Sequence, residues 1–243
     1  MDKTQHNIFL NIFRRLLVLL QLIFPNMLLC NRHHYKFHRY KNMKFYIDCY
    51  LHILHHLFQK LQPGGFILFT RNIVDPWQTR QLTDSLRELC EETPLIAIDN
   101  EGGRVWRTAP FSPASPSAAI LSGQNDPKPI AQAGWITGRL LSLLGINLNL
   151  APVLDLDHHP NSSNALNERC WGISEQDVIN HAGVFNRWQR RQGIAGCAKH
   201  FPCGGRAAND PHHTLPIVAI GSEEILRKTS SLTRRSCPNW MLS

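Results

Sequence analysis

The chain has 243 residues, 43% hydrophobic and 18% charged, which is enough apolar content for a sizeable core and excludes a disordered polymer. Its net charge of +8 is unevenly placed: residues 1–62 hold 9 Lys/Arg against 2 acids, residues 63–216 hold 13 against 14, and the remainder holds 4 against 2. The middle therefore lacks the basic excess that phosphate backbones demand, and no nucleic-acid partner is expected.

Seven cysteines are scattered singly, with no C-x-x-C pair. That pattern speaks for reduced thiols and a cytoplasmic setting rather than a disulfide scaffold or a zinc ribbon. Leu16 to Cys30 is an apolar run behind Arg14-Arg15, broken by Gln21, Pro25 and Asn26. A membrane span needs about 20 apolar residues, so membrane contact through residues 8–30 is the less favoured reading. The first alanine in the chain is Ala97, so no A-x-A cleavage site exists in this region. Residues 31–50 interleave His, Lys, Arg and aromatics without a helical or strand period. They read as a solvated part of a basic, apolar extension over 1–50.

From residue 51 the pattern becomes regular. Leu51, Leu54, Leu57, Phe58 and Leu61 recur at helical spacing, and Pro63-Gly64-Gly65 ends that helix. Phe66–Phe69 reads as a buried strand. Asp75-Pro76 opens a helix through about Cys90, and Leu95–Ile98 is the next strand. A Ser/Pro-rich loop over 110–117 precedes a helix from about Pro129 to Leu144, stopped at Gly145. A strand is expected over Asn147–Leu154. Ser174, with Asp177 three residues on, caps a helix that ends at Gly193, and Ile194–Ala198 is the last strand. Strands alternating with helices predict a parallel α/β fold. Asp99, Asp155, Asp157, Lys199 and His200 each fall just past the end of a strand. A (β/α)8 TIM-barrel type gathers such ends on one face, whereas an open doubly wound sheet lines a crevice with them. The barrel is the preferred reading.

The densest chemistry lies between Ala198 and Pro216. Lys199-His200 suits either ligand contact or the satisfaction of a buried carboxylate. Asp210 stands one residue from His212, across Pro211, and an aspartate beside an imidazole supports a general acid/base. The bland alternative is an Asx-type turn at Asn209-Asp210-Pro211. Asp99, followed by Glu101-Gly102-Gly103-Arg104, suits hydrogen bonding to sugar hydroxyls, with glycines allowing close backbone approach. Pairing of Asp99 with Arg104, or a turn cap, is the competing reading. Asp157, His158, His159, Cys203, His212 and His213 offer metal ligands, but their spacing fits no standard pattern, so no metal or cofactor is assigned.

Taken together, several stretches resemble glycoside hydrolase family 3 in its β-N-acetylhexosaminidase branch. They are Pro63–Asn72, Ile98–Val105, Gly145–Asp155, Asn167–Gly172, and Lys199-His200-Phe201-Pro202 with Asp210-Pro211-His212. They cover residues 51–216 and leave 1–50 and a divergent tail, 217–243, outside. The resemblance implies a TIM barrel that removes terminal β-linked N-acetylglucosamine, often from cell-wall fragments, with retention. It implies that Asp99, Arg169, Lys199 and His200 hold the sugar, and that His212, oriented by Asp210, is the acid/base on a mobile loop. Cys203, Gly204 and Pro211 depart from the family's usual Gly, His and Ser. The family's nucleophile is an aspartate on a later strand, and Asp210 is the last aspartate here. The chain is therefore expected to be an incomplete barrel with impaired hydrolysis. A non-catalytic sugar-binding remnant is the alternative, and a His/Asp metallohydrolase a weaker one.

Overall fold

Breaks, caps and apolar spacing build the elements in sequence order. A computed structural model describes residues 55–156, 165–201, 205 and 223, and the chain divides into two units, Met1–Ile96 and Ala97–Ser243.

In the first unit helix α1 (55–61) ends before the Pro63-Gly64-Gly65 break, and β1 (Gly65–Leu68) follows. Gly65 permits a close approach, since a Cβ there would lie 2.6 Å from the Leu95 carbonyl oxygen. Asp75 accepts from the Gln78 N–H at 2.7 Å and opens α2 (Pro76–Glu88), with proline in the first turn. Leu82 and Leu86, four apart, bury one face of α2 completely. The strand β2 (Leu95–Ile98) has the expected bounds; its first two residues close this unit and its last two open the next.

In the second unit β2 pairs in parallel with β5 (Leu148–Asn149), in the register Ala97–Leu148 and Ile98–Asn149. The strand β5 pairs in parallel with β6 (Ala195–Gly196). Between β2 and β5 lie a hairpin of β3 (Asn100–Gly102) and β4 (Val105–Trp106), then α3 (Ala118–Gly123) and α4 (Pro127–Leu143). Helix α5 (Glu175–Arg190) connects β5 to β6, and Ser174 caps it by accepting from the Asp177 N–H. This is an α/β fold of TIM-barrel type, present as an incomplete set of βα units among the described residues.

Several expectations change: the strand expected over Ile194–Ala198 is regular only at Ala195–Gly196, and the buried strand expected over Phe66–Phe69 runs over Gly65–Leu68 with Ile67 half-exposed. The strand expected over Asn147–Leu154 is regular only at Leu148–Asn149. Pro152 has no N–H to extend the ladder, which resumes as a single parallel bridge between Val153 and Lys199. There the Leu154 N–H meets the Lys199 carbonyl at 2.6 Å, so Lys199 is fixed by backbone pairing. The hairpin and α3 are additions, because neither segment carries a clear period.

Helices α4 and α5 pack through glycine. A Cβ on Gly134 would lie 2.4 Å from the Phe185 carbonyl oxygen, and one on Gly138 would lie 2.8 Å from the Gln189 backbone. The core they flank contains Ile130, Ala133, Val178, Phe185 and Trp171, with the Trp171 and Phe185 rings 5.4 Å apart. Among the described residues no helix is long and apolar enough to cross a membrane. Residues 1–50, including the apolar run, lie outside the described residues, and of the tail only Glu223 is described.

Candidate sugar-binding site

The strand ends place four carboxylate and cation-bearing segments together. Asp99 follows β2, Glu101 lies in β3, Asp155 follows the Val153 bridge, and Lys199-His200 follow β6. Arg169 comes from an irregular turn over 165–169, where Glu168 takes a left-handed φ of 62°.

Glu101 is the hub. Its carboxylate receives Arg169 in a two-pronged contact, Nε to Oε2 at 2.7 Å and Nη2 to Oε1 at 2.8 Å. Lys199 Nζ lies 2.5 Å from the same Oε1 and 2.8 Å from Asp99 Oδ1. Arg107 Nη2 donates to the other Asp99 oxygen at 3.3 Å. Burial alone pushes the Asp99 carboxyl up, but the Lys199 ammonium and the Arg107 guanidinium outweigh it and hold the group below the usual carboxylate range. Burial likewise disfavours the Arg169 charge. Glu101, with Asp155 and Asp99 behind it, overrides that and holds the guanidinium above its ordinary value.

His200 faces both partners of this set. Its Nδ1 is 2.6 Å from Asp155 Oδ2, and its Nε2 is 3.4 Å from Arg169 Nη2. Arg169 also donates through Nη1 to the Ala165 carbonyl at 2.8 Å, and Arg104 donates to that same oxygen.

Beneath the charged layer lies a buried amide layer. The Asn149 side chain accepts from the Asn100 N–H at 3.0 Å and donates to the Asn100 carbonyl at 2.9 Å, mimicking a strand neighbour for the residue between Asp99 and Glu101. It also donates to Gln189 Oε1 at 3.0 Å, and Gln189 donates to Asn186 Oδ1 at 3.0 Å. Asn100 in turn donates from Nδ2 to Thr108 and accepts the Arg107 N–H at Oδ1. All of these side chains are buried or nearly so, and their mutual pairing is what makes that burial tolerable.

Of the residues singled out in the sequence, Asp99, Arg169, Lys199 and His200 come together. Asp210, His212 and the alternative ligands Asp157, His158, His159, Cys203 and His213 lie outside the described residues. Asp99 pairs with Lys199 and Arg107, not with Arg104. The glycines after Glu101 serve the chain itself: Gly102, at φ 107°, faces the Pro116 carbonyl, and Gly103, at φ 54°, faces Ser117. Glu101 and Arg107 are the members that reading the sequence did not place in the site, while Asp155 was expected just past a strand end on the same face and was given no role there.

A parallel α/β set with its ionic residues just past the strand ends is the arrangement that a TIM-barrel-type protein presents on its C-terminal face. The chain belongs to glycosyl hydrolase family 3, whose N-terminal domain matches residues 50–232. A β-hexosaminidase of Methylococcus capsulatus is 36% identical over 168 residues, 68% of this chain and 49% of that protein. A β-hexosaminidase of Pseudomonas aeruginosa is 34% identical over 165 residues, again covering 68% and 49%. Among solved structures, a family 3 β-N-acetylglucosaminidase from Paenibacillus superposes with a TM-score of 0.68 at 31% identity, over 75% of this chain and 35% of that one. NagZ from Neisseria gonorrhoeae, in complex with N-trifluoroacetyl-D-glucosamine, gives 0.65 at 28% identity, over 73% and 54%. The chain spans about half the length of the curated relatives it matches.

Proposed function

We propose that this chain carries the sugar-holding part of a retaining β-N-acetylhexosaminidase, a glycosidase that removes terminal β-linked N-acetylglucosamine. The observation that carries the reading is the convergence of Asp99, Lys199, Arg169 and His200 around Glu101. Among the described residues the set contains three carboxylates, Asp99, Glu101 and Asp155, against three cations, Arg107, Arg169 and Lys199. With no excess charge and donors alternating with acceptors, the cluster suits a neutral polyhydroxyl ring better than an anion.

Asp99 would accept from sugar hydroxyls while Lys199 and Arg169 donate to them. His212, oriented by Asp210, is assigned to protonate the leaving oxygen and later to activate water, as general acid and then base. That assignment rests on the sequence match and on the chemistry of an adjacent Asp–His pair. A nucleophilic carboxylate completes a retaining mechanism. The scattered cysteines, with no C-x-x-C pair, support a cytoplasmic setting.

Calorimetric titration of the full chain with N-acetylglucosamine tests the sugar-holding role. Saturable binding is expected, lost on Asp99→Ala and kept on Asp84→Ala, whose side chain is half-exposed in α2. A flat titration of the wild-type chain overturns the reading. Release of an aryl alcohol from an aryl N-acetyl-β-glucosaminide, abolished by His212→Ala, would support the acid/base assignment; release that survives the change would remove it.

A further inference from the structure

We propose that Asp155 is a positioning residue: its carboxylate sets His200 as a hydrogen-bond acceptor toward the sugar and ties that ring to the backbone at Gly205. The inference rests on the sugar-holding reading and adds a residue to it.

Asp155 is a buried carboxylate that does not face a ligand itself. Its side chain is 1% exposed, whereas that of His200 is 40% exposed. One oxygen, Oδ2, takes two donors from a single residue: the His200 backbone N–H at 3.1 Å and the ring Nδ1 at 2.6 Å. The other, Oδ1, takes the Gly205 N–H at 3.3 Å. Among the described residues three donors meet this buried carboxylate, and two of them are the peptide and the ring of His200.

The ring's protonation pattern then follows from its other neighbour. Arginine has donors and no acceptor, so Nε2, facing Arg169 Nη2 at 3.4 Å, is the accepting nitrogen. The single ring proton therefore sits on Nδ1 and is donated to Asp155. An imidazolium would set two donors against each other at the Arg169 contact. In the Nδ1–H form the one Nε2 lone pair passes to a sugar hydroxyl in exchange for the long Arg169 contact, beside the donors of Arg169 and Lys199.

Gly205 closes the arrangement. A Cβ there would lie 2.2 Å from the Leu156 carbonyl oxygen, so only glycine brings its N–H this close to the strand end that carries Asp155. Asp155 thus joins two points five residues apart in the segment that leads toward Asp210 and His212.

The test is the long-range 1H–15N spectrum of the full chain, with the His200 signals identified by their loss in His200→Gln. The wild type is expected to show the Nδ1–H tautomer. Asp155→Asn preserves shape but removes the charge and leaves one acceptor oxygen where His200 and Gly205 need two. It is expected to give a tautomer mixture and to weaken N-acetylglucosamine binding by roughly tenfold, the loss of one charge-assisted hydrogen bond. A wild-type His200 protonated on Nε2 overturns the proposal, whether or not the variant folds. So does a folded Asp155→Asn chain with the tautomer and the affinity both unchanged. If the wild type takes up no N-acetylglucosamine, the functional reading falls, and the tautomer spectra still decide the role of Asp155.

Discussion

Replacing Glu101 by glutamine removes the common counter-ion of Arg169 and Lys199 while keeping the volume. The side chains of Glu101, Arg169 and Lys199 are only 6%, 13% and 16% exposed, so water does little to compensate. Breaking a buried ion pair by removing one partner costs about 3–5 kcal/mol. Lys199 keeps Asp99 and Arg169 keeps the Ala165 carbonyl, so the expected loss lies on either side of the lower end, about 2–4 kcal/mol. In a chain of this size each kcal/mol moves the melting temperature by about 2–4 °C, giving a drop of roughly 4–16 °C. Thermal melting at neutral pH, followed by circular dichroism, measures it. The companion Arg169→Met, alone and combined with Glu101→Gln, completes a double-mutant cycle. The double variant should lose much less than the sum of the singles, because removing both partners leaves no orphaned charge. A drop under about 2 °C, or additive singles, would refute the view of Glu101 as the hub.

Asp99 predicts an acid-side signature. Its carboxyl is held below the usual range in the folded chain. Its contribution to stability is therefore fully present above the unfolded value of about 4 and is lost as pH falls through the lower folded value. Melting temperatures taken from about pH 6 down to about pH 2.5 should fall less steeply in Asp99→Asn than in the wild type, and parallel curves would contradict the assignment. Asn149→Leu removes the partners of the Asn100 N–H, the Asn100 carbonyl and Gln189 Oε1. At about 1–3 kcal/mol per stranded buried group, with some relaxation, the expected loss is about 2–5 kcal/mol by urea unfolding. A loss below about 1 kcal/mol would show that the amide layer is not structural.

Apart from the short α3, the helices are readable because their signals are local. Asp75-Pro76, Ser174 with Asp177, and Gly145 each mark an end through a cap or a backbone conformation that a few residues decide. Strand lengths were less readable, since an apolar run from Asn147 to Leu154 does not say where the neighbour's backbone leaves it. Asp99, Lys199 and His200 were found by position, as polar residues just past strand ends. Arg169 was legible only through its resemblance to family members, because it stands in a turn with no period. Glu101 acts by pairing with Arg169 and Lys199, far away in sequence, and Arg107 by reaching back across the β3–β4 hairpin to Asp99. A linear reading of charges cannot see such partners.

The two glycines on α4 carry a consequence for stabilising this fold. A helical glycine is an obvious target, since alanine gains about 0.8–1.0 kcal/mol of helix propensity, but Gly134 and Gly138 are both buried. At Gly134 and Gly138 that gain would be overrun, because the added methyl would meet the backbone of α5 at Phe185 and Gln189. The displaced helix would take Gln189 away from Asn149, and through it disturb the segment holding Asp99 and Glu101. Two absent methyl groups on an outer helix thus act as a spacer for the sugar site, and a substitution there would register as altered ligand affinity far from any ligand.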